Sequence, residues 1–413
     1  MAVPERLFDP FASERAVVER EFHTCSLRGM GSPPLTVAGL FAGIGGIETG
    51  LARAGLETEL VCESWAPAQA VLRERFPDVD LADDVTELGA LPQVDVVTAG
   101  FPCTDLSQAG RTQGIRGRQS GLVAHVFRLL DKRRVPWVVL ENVRNMLALD
   151  QGRAMRFLVD ELEALGYRWA YRLVDSRFTG VPQRRQRVIM VASRVGDPRQ
   201  VLFADDAGKP DDRRLSEDAF GFFWTEGLRG LGWARDAVPT LKGGSTIGIP
   251  SPPGIWYRSG EPGRRIVVPG IEDAESLQGF PRGWTAPASA TSMRKGVRWK
   301  LVGNAVTVGV AAWVGHRLVD PHDPADTGRP LQSGERWPPA AWGGEGRVWT
   351  ADVSMWPHHA AYCHLAEAVD LDRATPLSAR AAAGFLGRAH RGTLRIDPEF
   401  LVDVKEHVEV HTG

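Results

Sequence analysis

The stretch from Leu35 to Glu63 constrains this chain more than any other. A short apolar run, Leu35 to Phe41, gives way to Ala-Gly-Ile-Gly-Gly and then to helical periodicity from about Ile44 to Ala54; a second apolar run, Leu56 to Cys62, ends in Glu63. In order this is strand, glycine loop, helix, strand, the unit that builds open α/β sheets with mostly parallel strands. The glycines admit a ligand close to the backbone and leave helix N-terminal amides free for its polar groups. A pyrophosphate fingerprint would need a further glycine at position 48, where Glu48 stands, so a different nucleotide is expected. Glu63 can accept both hydroxyls of a ribose, Trp65 can stack on a purine, and the pair Asp83-Asp84 can accept from an adenine amino group. Capping and plain packing suit the same residue types, so both roles stay open at this point.

Bulk properties narrow the class. Of 413 residues, 43% are hydrophobic and 24% charged, which suits a globular enzyme of more than one domain. The net charge of −2 offers no global basic field, but the basic residues are mostly arginine, and nucleic-acid binding needs only one local basic face. Cys25, Cys62, Cys103 and Cys363 lie far apart without CxxC spacing, which argues against a disulfide framework or a cysteine-rich zinc site and fits a reducing cytoplasm. The first residues lack a basic region followed by an apolar one, so no secretory signal is expected. The longest apolar run, Leu301 to Gly315, is too short and glycine-broken to cross a bilayer. The expectation is a cytoplasmic monomer without membrane contacts and without a bound metal.

Along the chain, residues 1–33 read as an N-terminal extension ending in Gly-Ser-Pro-Pro, and 34–195 as one α/β domain. Within it, Val94 to Thr98 reads as a buried strand followed by Ala-Gly-Phe-Pro-Cys103, which places a thiol just past a strand end, where α/β sheets bind ligands. Arg111 to Arg118 is arginine- and glycine-rich and reads as a mobile basic loop. The strand Trp137 to Leu140 ends in Glu141-Asn-Val, and Arg185 and Arg187 fall on one side of an extended segment before the strand Val188 to Ala192. Residues 196–270 lose periodicity and mix Trp224, Trp233 and Trp256 with many arginines, a composition that suits either base and phosphate contacts or a small β domain with a tryptophan core. Residues 271–318 return to the first domain, and 319–413 form a C-terminal extension.

Six short motifs stand in one order: Phe41-Ala-Gly-Ile-Gly-Gly46, Phe101-Pro-Cys103, Glu141-Asn-Val143, Gln183-Arg-Arg-Gln-Arg187, Leu277-Gln-Gly-Phe-Pro281 and Gly303-Asn-Ala-Val306. In order and spacing they resemble the DNA (cytosine-5)-methyltransferase family over about Leu35 to Gly315. The resemblance implies a Rossmann-like S-adenosylmethionine-dependent methyltransferase fold with a smaller irregular target recognition domain at 196–270. It implies that Phe41, Ala42, Gly43, Gly45 and Gly46 hold S-adenosylmethionine, with Glu63 at its ribose, Trp65 and Asp84 at its adenine, and Asn304 and Val306 at its methionine end. Cys103 becomes the nucleophile, Glu141 its acid partner, and Arg185 and Arg187 the groups that orient the target base. The implied substrate is a cytosine flipped out of double-stranded DNA. Cytosine methylation of RNA such as tRNA, and a non-catalytic nucleic-acid-binding role on the same fold, are the alternatives. The family usually carries glutamine where this chain has Thr104.

Overall fold

The first half of the chain alternates strands and helices, as apolar runs separated by glycine turns require. In order they are β1 (Thr36–Leu40), α1 (Gly46–Arg53), β2 (Glu57–Cys62), α2 (Ala66–Arg75), β3 (Asp80–Ala82) and β4 (Val96–Ala99). Then come α3 (Val123–Lys132), β5 (Trp137–Val143), α4 (Arg153–Ala164), β6 (Arg168–Asp175), β7 (Gln183–Arg184) and β8 (Gln186–Ser193). The computed structural model describes residues 33–102, 121–243, 251–292, 294, 296–324, 328–332, 334–371 and 373–412. Cys103, Thr104, the arginine-rich loop and nearly all of the N-terminal extension lie outside the described residues.

The second half supplies α5 (Arg199–Leu202), β9 (Ala219–Phe222), β10 (Ala234–Arg235), β11 (Val238–Pro239), β12 (Gly254–Tyr257) and β13 (Ile266–Val268). It continues with α6 (Ile271–Leu277), α7 (Val297–Asn304), α8 (Val308–Val319), β14 (Ala340–Gly344), β15 (Arg347–Thr350) and α9 (Leu365–Ala368). Last are β16 (Thr375–Pro376), α10 (Ala379–Arg391) and α11 (Pro398–Val410). The α11 start follows its sequence signal: the Asp397 side chain accepts from the Glu399 amide, and Pro398 occupies the first turn, where a missing N–H costs nothing.

The main sheet has nine strands in the order β15-β14-β6-β8-β5-β4-β1-β2-β3. β3, β2, β1, β4 and β5 pair in parallel, whereas β8 is antiparallel to both β5 and β6, and β14 to both β6 and β15. Only β8 and β14 therefore run against the rest, which keeps the mostly parallel α/β character. Register aligns Leu40 with Ala99 and Ala99 with Leu140, so β1 and β4 end level with Leu140, while β5 runs on to Val143. β8 begins at that same edge, with Arg187 beside Val143. Two apolar layers cover the faces, one built on α3 and α4 and the other on α1 and α8. Among the described residues no helix is long and apolar enough to cross a membrane.

Residues 196–270 are more regular than their composition suggests. A five-stranded sheet, β10-β9-β12-β13-β16, packs against α10 and α11 over a core of Phe222, Trp256, Phe385 and Phe400. Trp256 is fully buried and donates from Nε1 to Asp403 at 2.7 Å; Trp233 packs against Phe220, Trp256 and Phe400. Of the two roles their composition allowed, these two tryptophans take the core. The segment after 319 is likewise woven in: β14 and β15 extend the main sheet, and β16 with the last two helices completes the small lobe.

One buried carboxylate ties that lobe to the C-terminal segment. Asp236, fully buried at φ 51°, accepts from the Ser216 amide at 2.9 Å, the Leu365 amide at 2.8 Å and His364 Nδ1 at 2.6 Å. Asp236→Ala strands all three donors and is expected to lower stability by about 3 kcal/mol in urea unfolding, with Asp236→Asn, which tolerates the positive φ, losing less.

Candidate functional site

The glycine loop leaves the sheet from the carboxyl end of β1, level with the end of β4 and with Leu140 of β5. Phe41 leaves β1 at φ 56°, and Gly43 and Gly45 follow at φ 58° and 79°, a turn that side-chain-bearing residues adopt at a cost. Glu63 locks it: Oε2 accepts from the Gly43 amide at 2.9 Å, and Oε1 from the Trp65 amide at 2.8 Å. Burial pushes the Glu63 pKa up, against the pull of these amides. The Ala42 amide bonds the Cys62 carbonyl at 3.1 Å. A Cβ on Gly43 would meet nothing within 4 Å, so the loop faces open space there, while one on Gly46 would sit 2.6 Å from the Val306 carbonyl oxygen. That brings Val306, from the far end of the chain, against the loop.

The other residues expected around this pocket are placed as follows. Trp65 lies under the Lys300 ammonium, 4.6 Å from its ring centroid. Asn304 is exposed at the end of α7, close to Gly243. Asp84 is half-buried, and the hydrogen bond from the Thr86 amide lowers its pKa. Cys62 is buried and its thiol is pushed up to about 12 by desolvation and the carboxylates of Asp84, Glu63 and Asp83, so it is no nucleophile.

On the β5–β8 side, Arg187 Nε meets Glu141 Oε1 at 2.8 Å, and both side chains are about nine-tenths buried. The β5–β8 register explains the pair: Glu141 sits opposite Ile189, two residues from Arg187 and on the same face. Burial lowers the Arg187 pKa and Glu141 opposes that. Asn142 donates to the Phe101 carbonyl at 3.0 Å, anchoring the segment that leads to Cys103. Beside the pair opens a cavity of about 490 Å3 lined by Val143, Arg144, Asn145, Arg184, Gln186, Arg187 and Thr240, basic and without a carboxylate.

Arg185, expected to share the work of Arg187, is spent elsewhere. It is 1% exposed and donates to the carbonyls of Leu241 at 3.3 Å, Gly303 at 3.2 Å and Ala305 at 2.7 Å. Two buried glutamines extend this knot. Gln183 donates to the Leu277 carbonyl and to Gln278 Oε1 and accepts from the Leu241 amide; Gln278 donates to the Val302 and Ala305 carbonyls and accepts from the Thr307 hydroxyl. These glutamines, Asn142 and Trp284, whose Nε1 holds the Ile44 carbonyl at 2.9 Å, carried no role in the sequence reading. Their motifs were visible, but only the fold shows which distant carbonyls they meet. His358, His359 and His364 go to separate partners, Phe178, the Gly208 carbonyl and Asp236, and among the described residues no group of three or more His, Cys, Asp or Glu is placed to hold a metal ion. Arg185→Lys cannot span the three carbonyls, and an expected loss of roughly 2 kcal/mol would be read in urea unfolding.

The model of the C-5 cytosine-specific DNA methylase family matches residues 35–218. The chain is 47% identical over 371 residues to the Type II methyltransferase M2.BsuMI of Bacillus subtilis (strain 168), covering 87% of this chain and 94% of that protein. It is 27% identical to the Type II methyltransferase M.MspI of Moraxella sp over 68% of this chain and 69% of that one. The crystal structure of S. pombe Dnmt2 methyltransferase superposes with a TM-score of 0.50 at 14% identity, covering 69% of this chain and 98% of that one, which shows a shared fold alone. The chain belongs to the C-5 cytosine-specific DNA methylase family and is a DNA (cytosine-5)-methyltransferase.

Proposed function

We propose that this chain methylates C5 of a cytosine flipped out of double-stranded DNA, with S-adenosylmethionine as methyl donor, and that it does so as the modification enzyme of a cytoplasmic restriction-modification system. The observation that carries the reading is the buried Glu141–Arg187 pair beside a basic cavity, two strands from the glycine loop. The restriction-modification assignment rests on the relatives, which are named Type II methyltransferases.

The cofactor reading is supported by the open face of Gly43 and the Glu63 carboxylate behind it. Phe41, Ala42, Gly43, Gly45 and Gly46 would cradle S-adenosylmethionine, Glu63 its ribose, Trp65 and Asp84 its adenine, and Asn304 and Val306 its methionine end. When bound, that molecule supplies an electrophilic methyl group.

Cytosine C5 is a poor nucleophile. Addition of the Cys103 thiolate to C6 turns the ring into an enamine whose C5 attacks the methyl group. Loss of the C5 proton then restores the C5–C6 double bond and expels the thiolate. Negative charge pushed into the ring must be accepted. Glu141 in its protonated form donates to N3 and Arg187 to O2, contacts that strengthen as the charge develops. Arg185 acts one step back, holding the backbone of Leu241, Gly303 and Ala305. The thiol reaches C6 only if the base leaves the duplex.

Incubation with methyl-labelled S-adenosylmethionine and either double-stranded DNA or tRNA is expected to label the DNA. Label in tRNA alone would overturn the substrate assignment. DNA carrying 5-fluorocytosine at the target is expected to trap a covalent adduct, because fluorine cannot leave as a proton. Cys103→Ala abolishes both signals, and Glu141→Gln lowers the methylation rate by about 100-fold or more.

A further inference from the structure

Glu48 is a buried carboxyl that the reaction above does not use. It lies on the first turn of α1, two residues after Gly46, and is 1% exposed. Its place is built for it: a Cβ on Gly39 of β1 would collide with Glu48 Oε1. Oε1 meets the Thr98 hydroxyl of β4 at 3.3 Å, and Oε2 has no hydrogen-bond partner among the described residues. Around it, Gly39 and Thr98 are uncharged, and the α8 residues packed on α1, Val308 and Ala311, are apolar. The charged group that acts on it is another carboxylate, Glu63 at the end of β2. Burial pushes its pKa up to about 7, with the Glu63 charge raising it further against hydrogen bonds from its own amide and Thr98.

Among the described residues a carboxyl so placed has no counter-charge, and the ligand proposed for this pocket brings one. S-adenosylmethionine carries a positive sulfur, and its demethylated product does not. Sulfur joins the methionine and ribose portions, whose expected partners meet the loop that leads into α1: the Val306 carbonyl lies against Gly46, two residues before Glu48, and Glu63, whose charge acts on Glu48, holds Gly43. We infer that Glu48 is the counter-charge to the sulfonium, ionising when the donor binds and taking a proton back from solvent when the neutral thioether product replaces it. Glu48 is thus a positioning residue that sets the preference for donor over product, and the inference rests on the cofactor assignment above. By linkage, a cation that favours ionised Glu48 binds more tightly as pH rises through the carboxyl's titration, and the neutral product does not.

Isothermal titration of the full chain with S-adenosylmethionine and with S-adenosylhomocysteine, at about pH 6 and about pH 8 in two buffers of different ionisation heat, tests this. Donor affinity is expected to rise about fivefold to tenfold across that range, with net proton release on binding, while product affinity changes less than about twofold. Glu48→Gln, of nearly the same shape, binds both ligands and loses the donor-specific rise. The ligand's own α-amino titration persists in the variant and is subtracted. Equal pH dependence for donor and product in the unmodified chain, or a donor-specific rise that survives Glu48→Gln, would overturn the inference. The comparison of donor with product is read on the unmodified chain, so equal pH dependence of the two overturns the inference even if the variant does not fold. Binding of neither ligand would refute the cofactor assignment and this role with it, whereas binding of both without a charge-dependent difference refutes only the role of Glu48.

Discussion

The site depends on one buried polar knot, in which the side chains of Gln183, Arg185 and Gln278 bond to backbone far away in sequence. Arg185 ties Leu241 to Gly303 and Ala305, Gln183 ties Leu241 to Leu277, and Gln278 ties Val302 and Ala305 to the strand end before Arg187. Each link gives a backbone group a hydrogen-bond partner away from water. The same links hold the small lobe's return segment and the loop before Val306 on the carboxyl edge of the main sheet. Without them the glycine loop would lose the Val306 contact at Gly46, and the cavity would lose its Thr240 wall.

Charge is sorted around this knot. Glu48, Glu63, Asp83 and Asp84 gather on the glycine-loop side, where the thiol of Cys62 feels three of them. Arg144, Arg184 and Arg187 line the cavity on the β5–β8 side. A near-neutral chain can thereby present an acidic pocket to a cationic donor and a basic one to a polyanion. The small net charge reported the sum and hid the sorting.

Local signals identified much of this architecture. The glycine loop had to turn where β1 ends, because Gly43 and Gly45 take positive φ and the apolar run stops at Phe41. Asp397-Pro398 had to start a helix. Glu141 was placed near a strand end, and it sits late in β5, at the level of the loop. The strands at 340–350 escaped notice because Ala-Ala-Trp-Gly-Gly shows no alternation, and their pairing to β6 bridges more than 160 residues. The tryptophans of residues 196–270 were ambiguous because a basic, aromatic composition is the same whether the rings face a core or a ligand.

What the sequence by itself determined is the set of chemical groups and their order: a glycine loop, a thiol past a strand, a carboxylate, a pair of arginines, two glutamines and an asparagine. Those are carried by residue type and spacing. What only the tertiary structure decided is which group faces which. Arg185 and Arg187 lie two residues apart on one side of the chain, yet one is consumed by carbonyls and the other pairs with Glu141. Glu48 looked like a broken fingerprint and is a carboxyl fitted beneath a strand glycine. The reason is physical: hydrogen bonds and desolvation act over a few ångströms in space, and a sequence records distance along the chain instead.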